Sequence, residues 1–253
     1  MPELANSRSA ATASTSMQPN RIPVEEQFGI SSDEYKQKRS AFAFAAWVND
    51  TFQRFSATPH FETQYFERVG NNIKPFLEEA VPLSRLALSL AVPGRSIDVA
   101  CLLKDAYDAV IETTWPRSQS IPVEVTTTDS DSAALRRQAL SRDGQVALTG
   151  PIRRDESGIR ADGAMVDVGE EEDRQVALAL RQLRRKAGPG RYPRDTAVLV
   201  YVTDCWLASL DGLRDKLRRE TRAYLSRERP FISAVHFCYA ADYSIDTVMV
   251  SQL

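Results

Sequence analysis

Residues 107–127 read YDAVIETTWPRSQSIPVEVTT. Two β-prone runs, Tyr107–Thr113 and Ile121–Thr127, flank a proline-containing turn at Trp115–Ser120, the pattern of an antiparallel hairpin. Side chains alternate across a strand, so Val123 and Val125 take one face and Glu124 and Thr126 the other. A turn centred near Pro116 sets opposite each other residues whose numbers sum to about twice that position. Asp108 and Glu124 meet the condition. Two carboxylates directly across a ladder repel. The pair therefore marks a divalent-cation site, two acids that face solvent, or a different register. Mg²⁺ fits the first case, because it takes one or two carboxylates and keeps several waters.

Outward from the hairpin, Ile97–Leu103 completes a three-strand meander. Before it, Ile73, Phe76, Leu77, Ala80, Ser84 and Ala87 recur at helical spacing over about 73–91. Pro82 lies inside this helix and predicts a kink, because its ring clashes with the carbonyl four residues back, that of Glu78. After the hairpin, Asp131–Ser141 reads as a helix, Gln145–Ile152 as a strand and 153–169 as a hairpin or mobile loop. Glu170–Asp173 open a helix whose far end carries Arg181, Arg184, Arg185 and Lys186, a polarity that suits the helix dipole. TAVLVYVT at 196–203 is apolar without alternation, as in a central strand buried on both faces. Leu207, Leu210, Leu213, Leu217 and Tyr224 mark a further helix, and Ile232–Tyr239 and Ile245–Val250 two closing strands. Near the start, an N-cap at Ser31 opens a helical stretch that ends near Ser56. Residues 1–30 are poor in large apolar groups and read as a disordered tail.

Together these elements predict an α/β fold, a mixed β-sheet flanked by helices. Residues 31–253 form one domain: a helical extension at 31–72, and a core over 73–253 with an insertion at about 145–195. The 253 residues are 43% hydrophobic and 26% charged, enough for a sizeable core. A net charge of −2 excludes a global pull toward nucleic acid or acidic lipid. No apolar run reaches the roughly 18 residues a membrane span needs, so no membrane partner is expected. Cys101, Cys205 and Cys238 are far apart and odd in number, which predicts reduced core thiols and a cytoplasmic location. His60 and His236 fall in no nucleophile or metal motif, and no glycine-rich nucleotide loop occurs. Thr203-Asp204 reads as a helix cap.

Asp108, a short loop, and Val123-Glu124-Val125-Thr126 in a strand followed by a helix resemble the PD-(D/E)xK, or restriction-endonuclease-like, nuclease superfamily. The resemblance implies a core of helix, three-strand meander, helix and two further strands, an order that the segments from Ile73 to about Tyr239 follow. It implies Mg²⁺-dependent hydrolysis of nucleic-acid phosphodiesters, with Asp108 and Glu124 binding metal. It also implies an upstream helical acid, for which Glu79, at the edge of the apolar stripe, is better placed than Glu78. Thr126 stands where the family has lysine, and a hydroxyl supplies no positive charge. Either a basic residue reaches in, Arg136, Arg137 or Lys104 being nearest, or activity is weak. The remaining alternative is a catalytically inactive nuclease fold kept as an interaction or regulatory module. The partner is then nucleic acid or protein, and the oligomeric state stays open. Arg181, Arg184, Arg185, Lys186, Arg191 and Arg194 either contact phosphates or form a solvated helix end and loop.

Overall fold

The computed structural model describes residues 22–103, 106–114, 118–156, 158–188, 192–193, 195–203, 209–228 and 232–250. In chain order the strands are β1 (Arg39–Ser40), β2 (Ile97–Cys101), β3 (Ala109–Thr113), β4 (Gln119–Thr127), β5 (Ile152–Asp155), β6 (Gly158–Ala161), β7 (Thr196–Val202), β8 (Ile232–Tyr239) and β9 (Ile245–Met249). Seven of them form one mixed sheet in the order β1-β2-β3-β4-β7-β8-β9. β1 through β4 are antiparallel, β4, β7 and β8 run parallel, and β9 returns antiparallel to β8. β7 sits centrally and every one of its residues is buried, as its unbroken apolar run requires. Ala109 pairs with Val123 and Ile111 with Ile121, the register that a turn centred on Pro116 demands.

Helices cover both faces. On one, α2 (Ala41–Ser56) and α5 (Val81–Leu90) bring Phe44, Phe55, Leu83 and Leu86 onto Val99, Ile111, Val123, Val125 and Leu199. On the other, α7 (Val168–Lys186) and α8 (Leu210–Glu228) pack Leu183, Leu213 and Leu217 onto Val198, Val200 and Phe237. The strand residues of the two cores alternate along β7, so the period-2 pattern decides which helix pair each residue meets. α6 (Asp131–Asp143) follows β4 and is capped by Ser130, whose Oγ accepts the Ala133 N–H at 3.2 Å.

The kink expected from Pro82 takes a specific form. α4 (Ile73–Pro75) passes through a π-helical turn, Phe76–Ala80, into α5. The Val81 N–H reaches back five residues to the Phe76 carbonyl. Proline lacks the donor for the Glu78 carbonyl and crowds it, and one extra residue in the turn relieves both conflicts. Glu78 and Glu79 thus lie on a widened turn.

Some expectations are corrected. Gln145–Ile152 is not a strand; the first strand there is β5, which pairs with β6 in a separate two-stranded sheet. The helical extension at 31–72 packs into the first core, where Tyr35, Phe44 and Phe55 are fully buried. Ser31 caps only the short α1 (Ser32–Lys36), and Ser40 caps α2 separately. The tail boundary also moves forward. Phe28 stacks on Phe55 with ring centroids 5.2 Å apart, and Ile30 is 1% exposed with its N–H on the Asn71 carbonyl at 2.9 Å. Residues 1–21 lie outside the described residues. Burying Ile30 alone contributes about 2 kcal/mol. A chain starting at residue 31 is therefore expected to melt at least about 5 °C lower than the full chain in a thermal scan. An unchanged midpoint would remove Phe28 and Ile30 from the core. No described helix is long and apolar enough to cross a membrane.

Candidate active site

β3 begins at Ala109, but its partner β4 runs on to Thr127. Beyond Val123, therefore, one edge of β4 lacks a neighbouring strand and its N–H groups need other acceptors. Asp108 fills this notch. Its N–H donates to the Val123 carbonyl (3.1 Å), and its Oδ2 accepts the Val125 N–H (2.8 Å). The carboxylate is held against β4 beside Glu124. Glu124 and Thr126 pair with Val198 and Val200 and share their face, under α7. Glu79 approaches from the π-helical turn, and its Oε2 accepts the Tyr35 hydroxyl at 3.2 Å.

The three acids affect one another's protonation. Burial, and then the charge of Asp108, push Glu79 up to about 8, with smaller upward contributions from Glu78 and Glu124, while the Tyr35 hydroxyl pulls it back. Burial and the Glu124 charge raise Asp108 to about 6, opposed by the Val125 N–H and by Lys186. The three predicted acids thus meet where the sheet opens, and the cluster carries more negative than positive charge.

The cation within it is Lys186. Its ammonium donates a hydrogen bond to Glu124 Oε1, and the two side chains are 15% and 5% exposed. Sequence reasoning gave Lys186 either a phosphate contact or a place in a solvated helix end, and missed its pairing with Glu124. A signal was present: Val176, Ala179, Leu183 and Ala187 form the buried stripe of α7, and Lys186 follows Leu183 by three residues, on that stripe. The residues expected to replace the motif lysine do other things. Arg136 donates to the carbonyls of Ala147 (3.1 Å) and Gly150, and Arg137 pairs with Asp129 at 2.6 Å. Arg184 stacks over Tyr224. Lys104, Asp204, Cys205, Leu207, Arg191 and Arg194 lie outside the described residues.

The donor set is short for a cation but chemically suitable. Among the described residues no three His, Cys, Asp or Glu side chains are placed to hold an ion. Asp108 and Glu124 form a pair of hard oxygen donors of the kind Mg²⁺ uses with waters completing its shell. Their mutual repulsion is what a cation would relieve. Neither histidine is near: His60 pairs with Glu26, and His236 lies buried with Nδ1 2.9 Å from Thr247 Oγ1. Cys101 and Cys238 are free buried thiols. Searches of family models, curated proteins and solved structures give no match to this chain.

Proposed function

We propose that this chain has a restriction-endonuclease-like core and is a Mg²⁺-dependent nuclease hydrolysing nucleic-acid phosphodiesters. The observation that carries the reading is the Lys186–Glu124 ion pair beside Asp108. The acid-acid-lysine chemistry of the motif is then complete, with the lysine supplied by α7 in place of Thr126. In this reading the helix over 73–90, β2-β3-β4, α6, β7 and β8 constitute the core. Asp108 and Glu124 hold the metal, and Glu79 joins from the π-helical turn. The cation supplies a polarised water and offsets phosphate charge. Lys186 orients Glu124 through its hydrogen bond to Oε1 and offers its remaining N–H bonds to a water or phosphoryl oxygen. Asp108, tied to the Val125 N–H, needs no rearrangement to accept the cation.

A second reading, an inactive nuclease fold serving as an interaction module, draws on the burial of Glu124 and Thr126, which are 4% and 5% exposed. Titration with Mn²⁺ or Mg²⁺ separates the two. Metal that binds the native site alone stabilises by about 2.7 kcal/mol at a hundredfold excess over Kd. The thermal midpoint is expected to climb with metal, and Asp108→Asn or Glu124→Gln to abolish the climb. Metal-dependent cleavage of labelled single- or double-stranded DNA or RNA, lost in the same variants, would support the nuclease. Stabilisation without cleavage would support the module. Absence of both in folded protein would end the metal-site reading.

A further inference from the structure

A second feature lies on the other side of the π-helical turn. Glu79 faces the acids, whereas Glu78 is 3.6 Å from Arg68 Nε at the edge of a cleft of about 810 Å³. Neither Asp108 nor Glu124 lines this cleft. Its volume falls in the usual range for small-molecule sites. Its walls are unusual in two ways. Five arginines (Arg68, Arg85, Arg136, Arg137 and Arg174) face three acids, Asp129, Glu170 and Glu171, leaving an excess of positive charge. Two of these guanidiniums lie on tyrosine rings, Arg68 over Tyr65 at 4.9 Å and Arg85 over Tyr243 at 4.8 Å.

Tyr243 is a bulky residue held at φ 55°, a left-handed conformation that costs energy for any residue with a Cβ, and its side chain stays half-exposed. Tyr201, at the end of β7, is hydrogen-bonded to Tyr243, and burial together with Tyr243, Cys238 and Tyr65 raises its hydroxyl well above the usual tyrosine range. The two Arg–Tyr stacks therefore adjoin through Tyr201. Among the described residues no ion pair engages Arg85, whereas Arg68 is held by Glu78, 3.6 Å from its Nε, and donates from Nη1 to the Tyr65 carbonyl at 2.7 Å. Planar aromatic faces beside a guanidinium with unspent donors, that of Arg85, match one ligand chemistry: a stacked base attached to a phosphate.

We propose that the cleft between α2, α3 (Phe61–Glu67), α5 and α6 is a nucleotide-binding site. The base packs against Tyr65 and Tyr243, and the phosphate meets Arg85 and Arg68. The ligand is a nucleotide unit, free or in an unpaired strand. The proposal does not rest on the nuclease reading, since the cleft contains neither metal-site acid.

The test uses the full chain in EDTA, with calorimetry or tyrosine fluorescence as readout. AMP is expected to bind, and adenosine and ribose 5-phosphate each to bind at least about tenfold more weakly, because both halves of the ligand are read. Tyr243→Gly removes the ring at a position whose backbone favours glycine, so the fold is kept. It should weaken AMP about tenfold with an unchanged or higher thermal midpoint. Arg85→Met, on an exposed helix position, should do likewise. Glu124→Gln should leave AMP binding unchanged, so loss of the nuclease activity and loss of this site are read separately. An unpaired oligonucleotide that binds more than tenfold tighter than AMP identifies a strand as the ligand, and equal affinity identifies the free nucleotide. Failure of both AMP and the oligonucleotide to bind, or binding indifferent to Tyr243→Gly and Arg85→Met, overturns the proposal.

Discussion

Lys186→Met is expected to destabilise the protein by about 3 kcal/mol at pH 8, roughly a 10 °C fall in thermal midpoint. Both members of the Lys186–Glu124 pair are buried, so removing the cation leaves Glu124 out of water beside Asp108 and Glu79 with no counter-charge. An exposed pair would cost far less, under about 1 kcal/mol. The Glu124→Gln, Lys186→Met double variant should regain most of the loss, because it replaces two charges by neutral groups of similar volume. A double-mutant cycle read by urea unfolding gives the coupling directly. The deficit of Lys186→Met should also shrink toward pH 5, where the uncompensated acids take up protons. A cost within 0.5 kcal/mol, with no pH trend, would mean that the pair is absent in solution and that the site has no lysine.

Without metal, stability should fall as pH rises from about 4.5 to 8, and Glu79→Gln should flatten that fall. Glu79 sits near 8 in the folded chain against 4.5 ordinarily, and Asp108 near 6 against 3.8. The folded state therefore binds more protons than the unfolded chain over these ranges. Its contribution is fully present below the unfolded values and is lost as pH rises through the folded ones. For Glu79 the change is on the order of 4 kcal/mol. His236 works in the opposite direction, since burial lowers it to about 4. The unfolded chain then binds the extra proton, and stability is lost as pH falls from about 6.5 toward 4. Between about pH 4.5 and 6 His236 offsets only one of the two carboxyl slopes, so a net fall remains there, and above about pH 6.5 the Glu79 slope stands alone. Chemical denaturation across pH in EDTA measures it. A flat profile for the unsubstituted chain, or a fall that survives Glu79→Gln, would show that Glu79 is not charged against its neighbours.

Strand pairing in the meander was legible because it is local. β3 and β4 are consecutive and only five residues apart, and period-2 alternation ties each residue to a face, so the register pairing Ala109 with Val123 and Ile111 with Ile121 followed from residue numbers. β7 was legible for a related reason: an apolar run with no alternation can satisfy only a strand covered on both sides. The seven-residue coil over 145–151, ahead of β5, was misread because Val146 and Leu148 resemble strand residues; yet Leu148 is largely exposed, and no neighbouring strand claims it.

The sequence by itself determined the class of fold and the hairpin register, since each depends on periodicity and short loops. The tertiary structure alone decided that Lys186 completes the cluster, 62 residues from Glu124 along the chain. It also decided that Pro82 is absorbed as a π-helical turn that sets Glu79 and Glu78 toward two different sites. Those outcomes depend on how α7 and the helix over 73–90 settle on opposite faces of one sheet. That choice comes from packing over long sequence separations, which no local pattern records.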